Sequence, residues 1–185
     1  MYLDENGVTI KAYEWSQAGQ TGIIDGVVYT IVDEDMLREM VENGADVTRV
    51  CTSKVTDMSS LFYGNTTFNE DIGSWDVSNV TNMYGMFWNW LGMGNTIPNP
   101  FNQDISYWDV SNVTDMSVMF AGSVFNQDLS AWDVSSVTRM TAMFSTSIFN
   151  QPIGNWDVSE VVDMNTMFYG SSFNQPIGDW DVSNV

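Results

Sequence analysis

Five Asp-Val-Ser tripeptides punctuate this chain, at Asp76–Ser78, Asp109–Ser111, Asp133–Ser135, Asp157–Ser159 and Asp181–Ser183. A carboxylate repeated at one slot admits several kinds of chemistry. Two such groups can flank a glycosidic bond as acid and base. Several can supply oxygen ligands to calcium. A whole row can meet a partner surface. The local alternative is that each Asp accepts bonds from backbone N–H groups, or from its own Ser, at a corner. A catalytic pair should break a repeat rather than obey it, so no enzyme is expected. Histidine is absent and Cys51 is the single cysteine. That removes His-based triads, Cys/His zinc sites and any disulfide within the chain. No EF-hand loop or calcium-binding nonapeptide is present, so no cofactor is expected and calcium bridging between Asp residues stays open.

A second candidate lies in the segment from Trp88 to Pro100, which holds Trp88, Trp90, Leu91 and Met93. Tryptophan is enriched at the energetic centres of interfaces. The same loop can also fold back and bury its indoles locally, and both readings stand at this stage.

The elements that position these residues follow from the spacing of Trp-Asp-Val. It recurs at Trp75, Trp108, Trp132, Trp156 and Trp180, with the last three steps 24 residues long and the first 33. Self-similarity at such a period marks a stacked repeat array. In one unit the apolar slots are Ile105, Trp108, Val110, Val113, Met116, Met119 and Phe120. Their opening spacing is that of leucine-rich repeats. Trp-Asp-Val-Ser alternates like a half-buried strand, which would point Asp outward and Trp inward. Met116, Met119 and Phe120 then fall at helical spacing, with Thr114 as N-cap, Asp115 in the first turn and Gly122 as a stop.

The predicted fold is therefore an α/β repeat solenoid, leucine-rich-repeat-like, with one short parallel strand and a short helical segment per coil. Residues 47–185 form about five coils plus a final strand, with an inserted loop near 88–100. Val47, Val50, Thr52, Val55, Met58, Leu61 and Phe62 make a degenerate first coil. Asn69, Asn102, Asn126, Asn150 and Asn174 each follow a Phe and read as corner-bonding structural residues. Residues 1–46 read as a small α+β cap, with a hairpin about Asp25-Gly26 and a helix from Asp33 to Asn43.

Charge narrows the partners. The net charge is −19, and beyond residue 55 the sole basic residue is Arg139. Such a surface repels phosphate backbones and anionic bilayers. The chain has no apolar run long enough to span a membrane, and no signal or anchor is visible. The ending at Val185 would leave an apolar edge, for which further repeats or another copy of the chain are candidate partners.

The unit F-N-Q-D-I-S-x-W-D-V-S-N-V-T-D-M-x-x-M-F, quoted from Phe101 to Phe120 and recurring over residues 47–185, resembles the repeat of the BspA-like surface-protein family, also represented among mycoplasma lipoproteins. The resemblance implies an extracellular or cell-surface location on a bacterium and an adhesin-like, non-catalytic role towards a protein or glycan ligand. The departures from the family pattern are the nine-residue insert and the lack of a visible secretion or anchoring signal.

Overall fold

The structure is a computed structural model that describes residues 1–89 and 97–185. The chain opens with β1 (Tyr2–Leu3) and β2 (Ile10–Lys11), an antiparallel pair. Next come β3 (Thr21–Ile24) and β4 (Val27–Ile31), joined at Asp25 and Gly26 with φ of 50° and 82°. Two positive φ values in a two-residue loop match the right-handed twist of the flanking strands, and Asp-Gly tolerates them. α1 (Glu34–Glu42) starts at Asp33, whose side chain accepts from the Met36 N–H, and ends at Asn43 before Gly44. β5 (Val50–Cys51) pairs in parallel with β4. The first coil is thus bonded into the cap's sheet, and one apolar core runs from Val32 through Leu37 to Met167.

From Thr52 onward the coils carry turns and single parallel bridges, where the sequence suggests a strand and a helical segment. The bridges connect Asp57, Asn82, Asp115, Arg139 and Asp163. The inter-coil ladder therefore sits at Thr-Asp-Met, and Trp-Asp-Val-Ser forms a corner. There the Trp75 N–H donates to the Ile72 carbonyl and the Val80 N–H to the Val77 carbonyl. Asp and Ser at alternate positions bond their own backbone, and that local bond outcompetes the extended conformation.

The Met-x-x-Met-Phe stretch takes a form that no single-chain periodicity describes. Alternate N–H groups close tight turns, as Met119 N–H to Met116 carbonyl at 3.2 Å. The intervening ones cross to the next coil. Met116, Val118, Phe120 and Gly122 donate to the carbonyls of Arg139, Thr141, Met143 and Ser145 at 2.8–2.9 Å. The same four-bond row joins every neighbouring pair of coils from Met58 to Tyr169. Turning alternate amides outward requires a left-handed residue in the row. Ser60, Gly85, Val118, Ala142 and Thr166 occupy that slot, with φ between 52° and 59°. A left-handed residue cannot continue an α-helix, so Thr114 caps none. Its hydroxyl donates to the Thr81 carbonyl of the preceding coil instead.

Side chains stack as the backbone does. Trp75 and Trp108 are parallel within 3° at 6.4 Å, and Trp108 and Trp132 within 7° at 6.5 Å. Phe87, Phe120, Phe144 and Phe168 form a second column at 5.7–5.9 Å. Phe101, Phe125, Phe149 and Phe173 form a third at 6.1–6.4 Å. These separations fall in the favourable range for offset aromatic pairs, about 4.5–7 Å between centroids. The indole N–H of Trp75, Trp108, Trp132, Trp156 and Trp180 each donates to a carbonyl of the preceding coil, as Trp132 Nε1 to Ile105 at 3.1 Å. The Asn column is bonded likewise: the Asn150 N–H and the Gln151 amide reach the Asn126 side-chain oxygen and carbonyl.

Candidate functional site

The Asp-Val-Ser slots lie in line, one per coil, and their geometry repeats. Asp109 Oδ1 accepts from both the Ser111 N–H (3.2 Å) and the Ser111 hydroxyl (2.6 Å). Asp133–Ser135 and Asp157–Ser159 make the same pair of bonds. Asp181 accepts from the Ser183 N–H at 3.0 Å. In all four, one carboxylate oxygen closes the corner and the residue is exposed. Bonds to the Ser side chain and backbone hold the Asp133, Asp157 and Asp181 carboxyls below their ordinary range. The neighbouring Asp157 charge pushes the other way on Asp133 and Asp181. At Asp133 and Asp181 hydrogen bonding outweighs like-charge repulsion, so both carboxyls stay ionised at neutral pH.

Asp76 stands apart. It is 3% exposed. Its Oδ1 serves Ser78, as in the other coils, while Oδ2 accepts from the Ser53 hydroxyl. Ser53 also holds the Ala12 N–H, so Asp76 is tied to the cap. It belongs to the join between the N-terminal strands and the repeated coils rather than to the exposed row.

The ladder face carries a second acidic column of different composition: Asp57, Asn82, Asp115, Arg139, Asp163. Here like charges alternate with Asn or Arg. Asn82 donates to Asp57 at 3.0 Å, and Arg139 approaches Asp115 at 3.9 Å. Burial raises the Asp57 carboxyl, but bonds from Ser59 and Asn82 and the Arg38 charge bring it below its ordinary range. Like charges directly opposite each other in adjacent strands are destabilising, and this column interrupts them. The Asp-Val-Ser column does not.

Of the insert residues, Trp88 is half-buried. Its ring lies 5.0 Å from Tyr63 and edge-on to Tyr84 at 6.4 Å. Trp90, Leu91 and Met93 lie outside the described residues. Both flanks of the insert are fixed: the Asn89 side chain donates to the Ile97 carbonyl, and Asn99 is buried with its side chain donating to the Phe62 carbonyl. A shallow groove of about 230 Å³ runs from Trp88 across Val118, Ala121, Ala142 and Ser145 to Tyr169.

Sequence reasoning missed two features. Tyr2, Tyr13 and Trp15 form an exposed aromatic stack on the cap, with centroids 5.1 and 5.2 Å apart and Trp15 76% exposed. The alternation Tyr13-Glu14-Trp15 is its only trace in the sequence. Arg38 on α1 donates to the Ser59 and Asp57 carbonyls at 2.9 and 3.2 Å, at the start of the ladder. Its pairing with Glu34 is legible as an i,i+4 spacing, whereas its reach to the first coil is not.

Among the described residues there is no group of three or more His, Cys, Asp or Glu side chains placed to hold a metal ion. No helix of the described residues is long and apolar enough to cross a membrane. A family model described as a Mycoplasma protein of unknown function, DUF285, matches residues 34–123 and 92–185. No curated protein and no solved structure matches the chain.

Proposed function

The chain belongs to this DUF285 family of mycoplasma proteins, and from that premise we propose that it is a non-catalytic interaction module of the bacterial cell surface or its exterior. In this reading the architecture is a leucine-rich-repeat-like solenoid of the BspA-like kind, behind a cap of residues 1–46. The ligand is a protein or glycan, and the charge of the row favours a basic protein surface.

The observation that carries the reading is the uninterrupted row Asp109, Asp133, Asp157, Asp181. Each corner needs one carboxylate oxygen as an acceptor, and neutral Asn would supply it equally well. Asn and Arg do interrupt the other acidic column. Retention of a full charge at every corner therefore calls for a use beyond folding. A row of one sign focuses its potential along the array and steers a complementary partner. A non-catalytic role is supported by the same bonds, since each of these carboxylates is engaged at a corner and no pair is set apart from the repeat.

The test is a binding screen of the folded chain against matrix proteins and glycans, with and without calcium. It is run beside the triple substitution Asp109→Asn, Asp133→Asn, Asp157→Asn. Asn keeps the acceptor and removes the charge. Binding by the parent chain that is lost in the triple variant, with the fold intact, supports the reading. Binding that survives the substitution sinks the acidic row as the site. A melting temperature raised by calcium would instead assign the row to an ion.

The second reading, a structural spacer that stacks on further repeats, is favoured by one feature: a cavity of about 440 Å³ at the last coil, lined by Met164, Met167, Phe168, Ile177 and Trp180.

A further inference from the structure

The acidic row makes no use of the aromatic stack on the N-terminal strands, yet the fold holds that stack in place against water. Tyr13 covers one face of Trp15, parallel within 10°. Trp15 is still 76% exposed, so its other face is open. The segment that carries it is braced from the first coil: the Ala12 N–H donates to Ser53 Oγ and Lys54 Nζ to the Glu14 carbonyl, each at 2.9 Å. Just beyond, the Gly19 N–H donates to the Ile31 carbonyl and the Ile31 N–H to the Gln20 carbonyl, both at 2.8 Å. A large ring held this way stays in unfavourable contact with water and loses little freedom when a ligand covers it. Beside it lies a cleft of about 490 Å³, with Trp15, Ser16, Gln20 and Thr21 in its wall. Small-molecule sites run from about 300 to 1,000 Å³. Ser16 is only 6% exposed. Its N–H closes a turn onto the Tyr13 carbonyl, but its hydroxyl, not sealed from solvent, has no hydrogen-bond partner among the described residues. A polar group set so deep ordinarily has one. Gln20 Oε1 accepts from the Gln17 N–H at 2.9 Å, which fixes the amide and leaves its NH2 group to donate.

We propose that this cleft binds a neutral sugar, with a pyranose packed on the open face of Trp15 and its hydroxyls on Ser16, Gln20 and Thr21. A pyranose has one face of C–H groups and an edge of hydroxyls that both donate and accept. The cleft has the same division, an indole face beside hydroxyl and amide groups that do both. No charged side chain lines it, so a charged ligand would lose water there without gaining a counter-charge. The net charge of −19 further disfavours phosphates and acidic sugars. A quaternary ammonium group is held best by rings arranged around it, whereas Tyr13 and Trp15 lie one upon the other and present a single face. An apolar side chain of a partner protein would cover Trp15 but leave the Ser16 hydroxyl unmet at a buried contact. The site uses none of Asp109, Asp133, Asp157 and Asp181, and it is independent of what that row binds.

The experiment titrates the folded chain with neutral oligosaccharides ending in glucose, galactose or N-acetylglucosamine, read by saturation-transfer NMR and calorimetry. Trp15→Ala, Ser16→Ala and the triple Asn variant of the acidic row are run beside it. The expected result is saturable binding of at least one of these sugars. Binding should weaken about tenfold or more in Trp15→Ala and about fivefold in Ser16→Ala, and should be unchanged in the triple variant. Trp15 is exposed and the Ser16 hydroxyl bonds no described residue, so neither substitution should move the urea midpoint. That separates a lost ligand contact from a lost fold. Trp15→Tyr keeps a ring and should retain most of the binding. Absence of binding by all three sugars overturns the proposal. So does binding that Trp15→Ala leaves intact, or a Trp15-dependent response to aromatic or basic peptides in place of the sugars. Sugar binding lost in the triple variant would move the ligand to the acidic row and overturn this site.

Discussion

At the scale of single residues, the corner Asp has two separable jobs. Asp133→Asn should leave the midpoint of urea unfolding nearly unchanged, because Oδ1 still accepts from Ser135. Asp133→Ala should lower stability by about 1 kcal/mol through the lost bonds. Equal loss in both variants would show that the charge itself holds the corner. The same bonds fix the acid limb. Asp57, Asp128, Asp133 and Asp163 have carboxyls lowered in the folded chain. A lowered carboxyl contributes stability that is present above its unfolded value and lost as pH falls through the folded one. The melting temperature should therefore hold from neutrality to about pH 4 and fall below it. A rise on acidification would mean that relief of the −19 charge dominates. Val118 gives a third residue-scale test. It is β-branched at φ 52°, a conformation Asn tolerates better. Val118→Asn should raise stability by about 0.5–1 kcal/mol, read as the urea midpoint. Cys51 is buried, and burial pushes its thiol up. It should resist thiol reagents until the chain unfolds.

At the scale of elements, the apolar slots were legible and the secondary structure between them was not. Ile105, Trp108, Val110, Val113, Met116, Met119 and Phe120 are all buried, because a period of 24 residues repeats their environment. Trp-Asp-Val-Ser alternates for only four residues, too few to separate a strand from a corner, and its Asx bonds decide for the corner. Met116, Met119 and Phe120 share a face under turns as well as under a helix. The sole clue against a helix was Gly85 at the left-handed slot. The candidate row of Asp residues was legible as a column, but the engagement of Asp76 with the cap was not, since it depends on Ser53 in the degenerate coil. The β3–β4 turn and α1 were readable because Asp25-Gly26 and Asp33 carry local signals that tertiary contacts do not override. At this scale, Trp132→Ala should cost about 3–5 kcal/mol. It opens the Trp column and leaves the Ile105 carbonyl without its indole. A loss under 1 kcal/mol in urea unfolding would show that neighbouring coils collapse into the gap.

At the scale of the molecule, the backbone ladder of the described residues bonds each coil to its neighbours, so stability should be graded along the array. The first coil is bonded to β4 and held by Arg38, whereas the last has one neighbour. Hydrogen exchange should be fastest in residues 162–185 and slow towards the cap, and uniform exchange would argue for a single cooperative unit. The parallel indoles of Trp75, Trp108 and Trp132 have a further consequence, in optics. Chromophores of one kind, held parallel at 6.4–6.5 Å, share excitation. The near-ultraviolet circular dichroism should carry a coupled signal that isolated tryptophans lack. Removing the middle ring should erase more of that signal than its share of the absorbance, which makes the column a spectroscopic gauge of its own continuity.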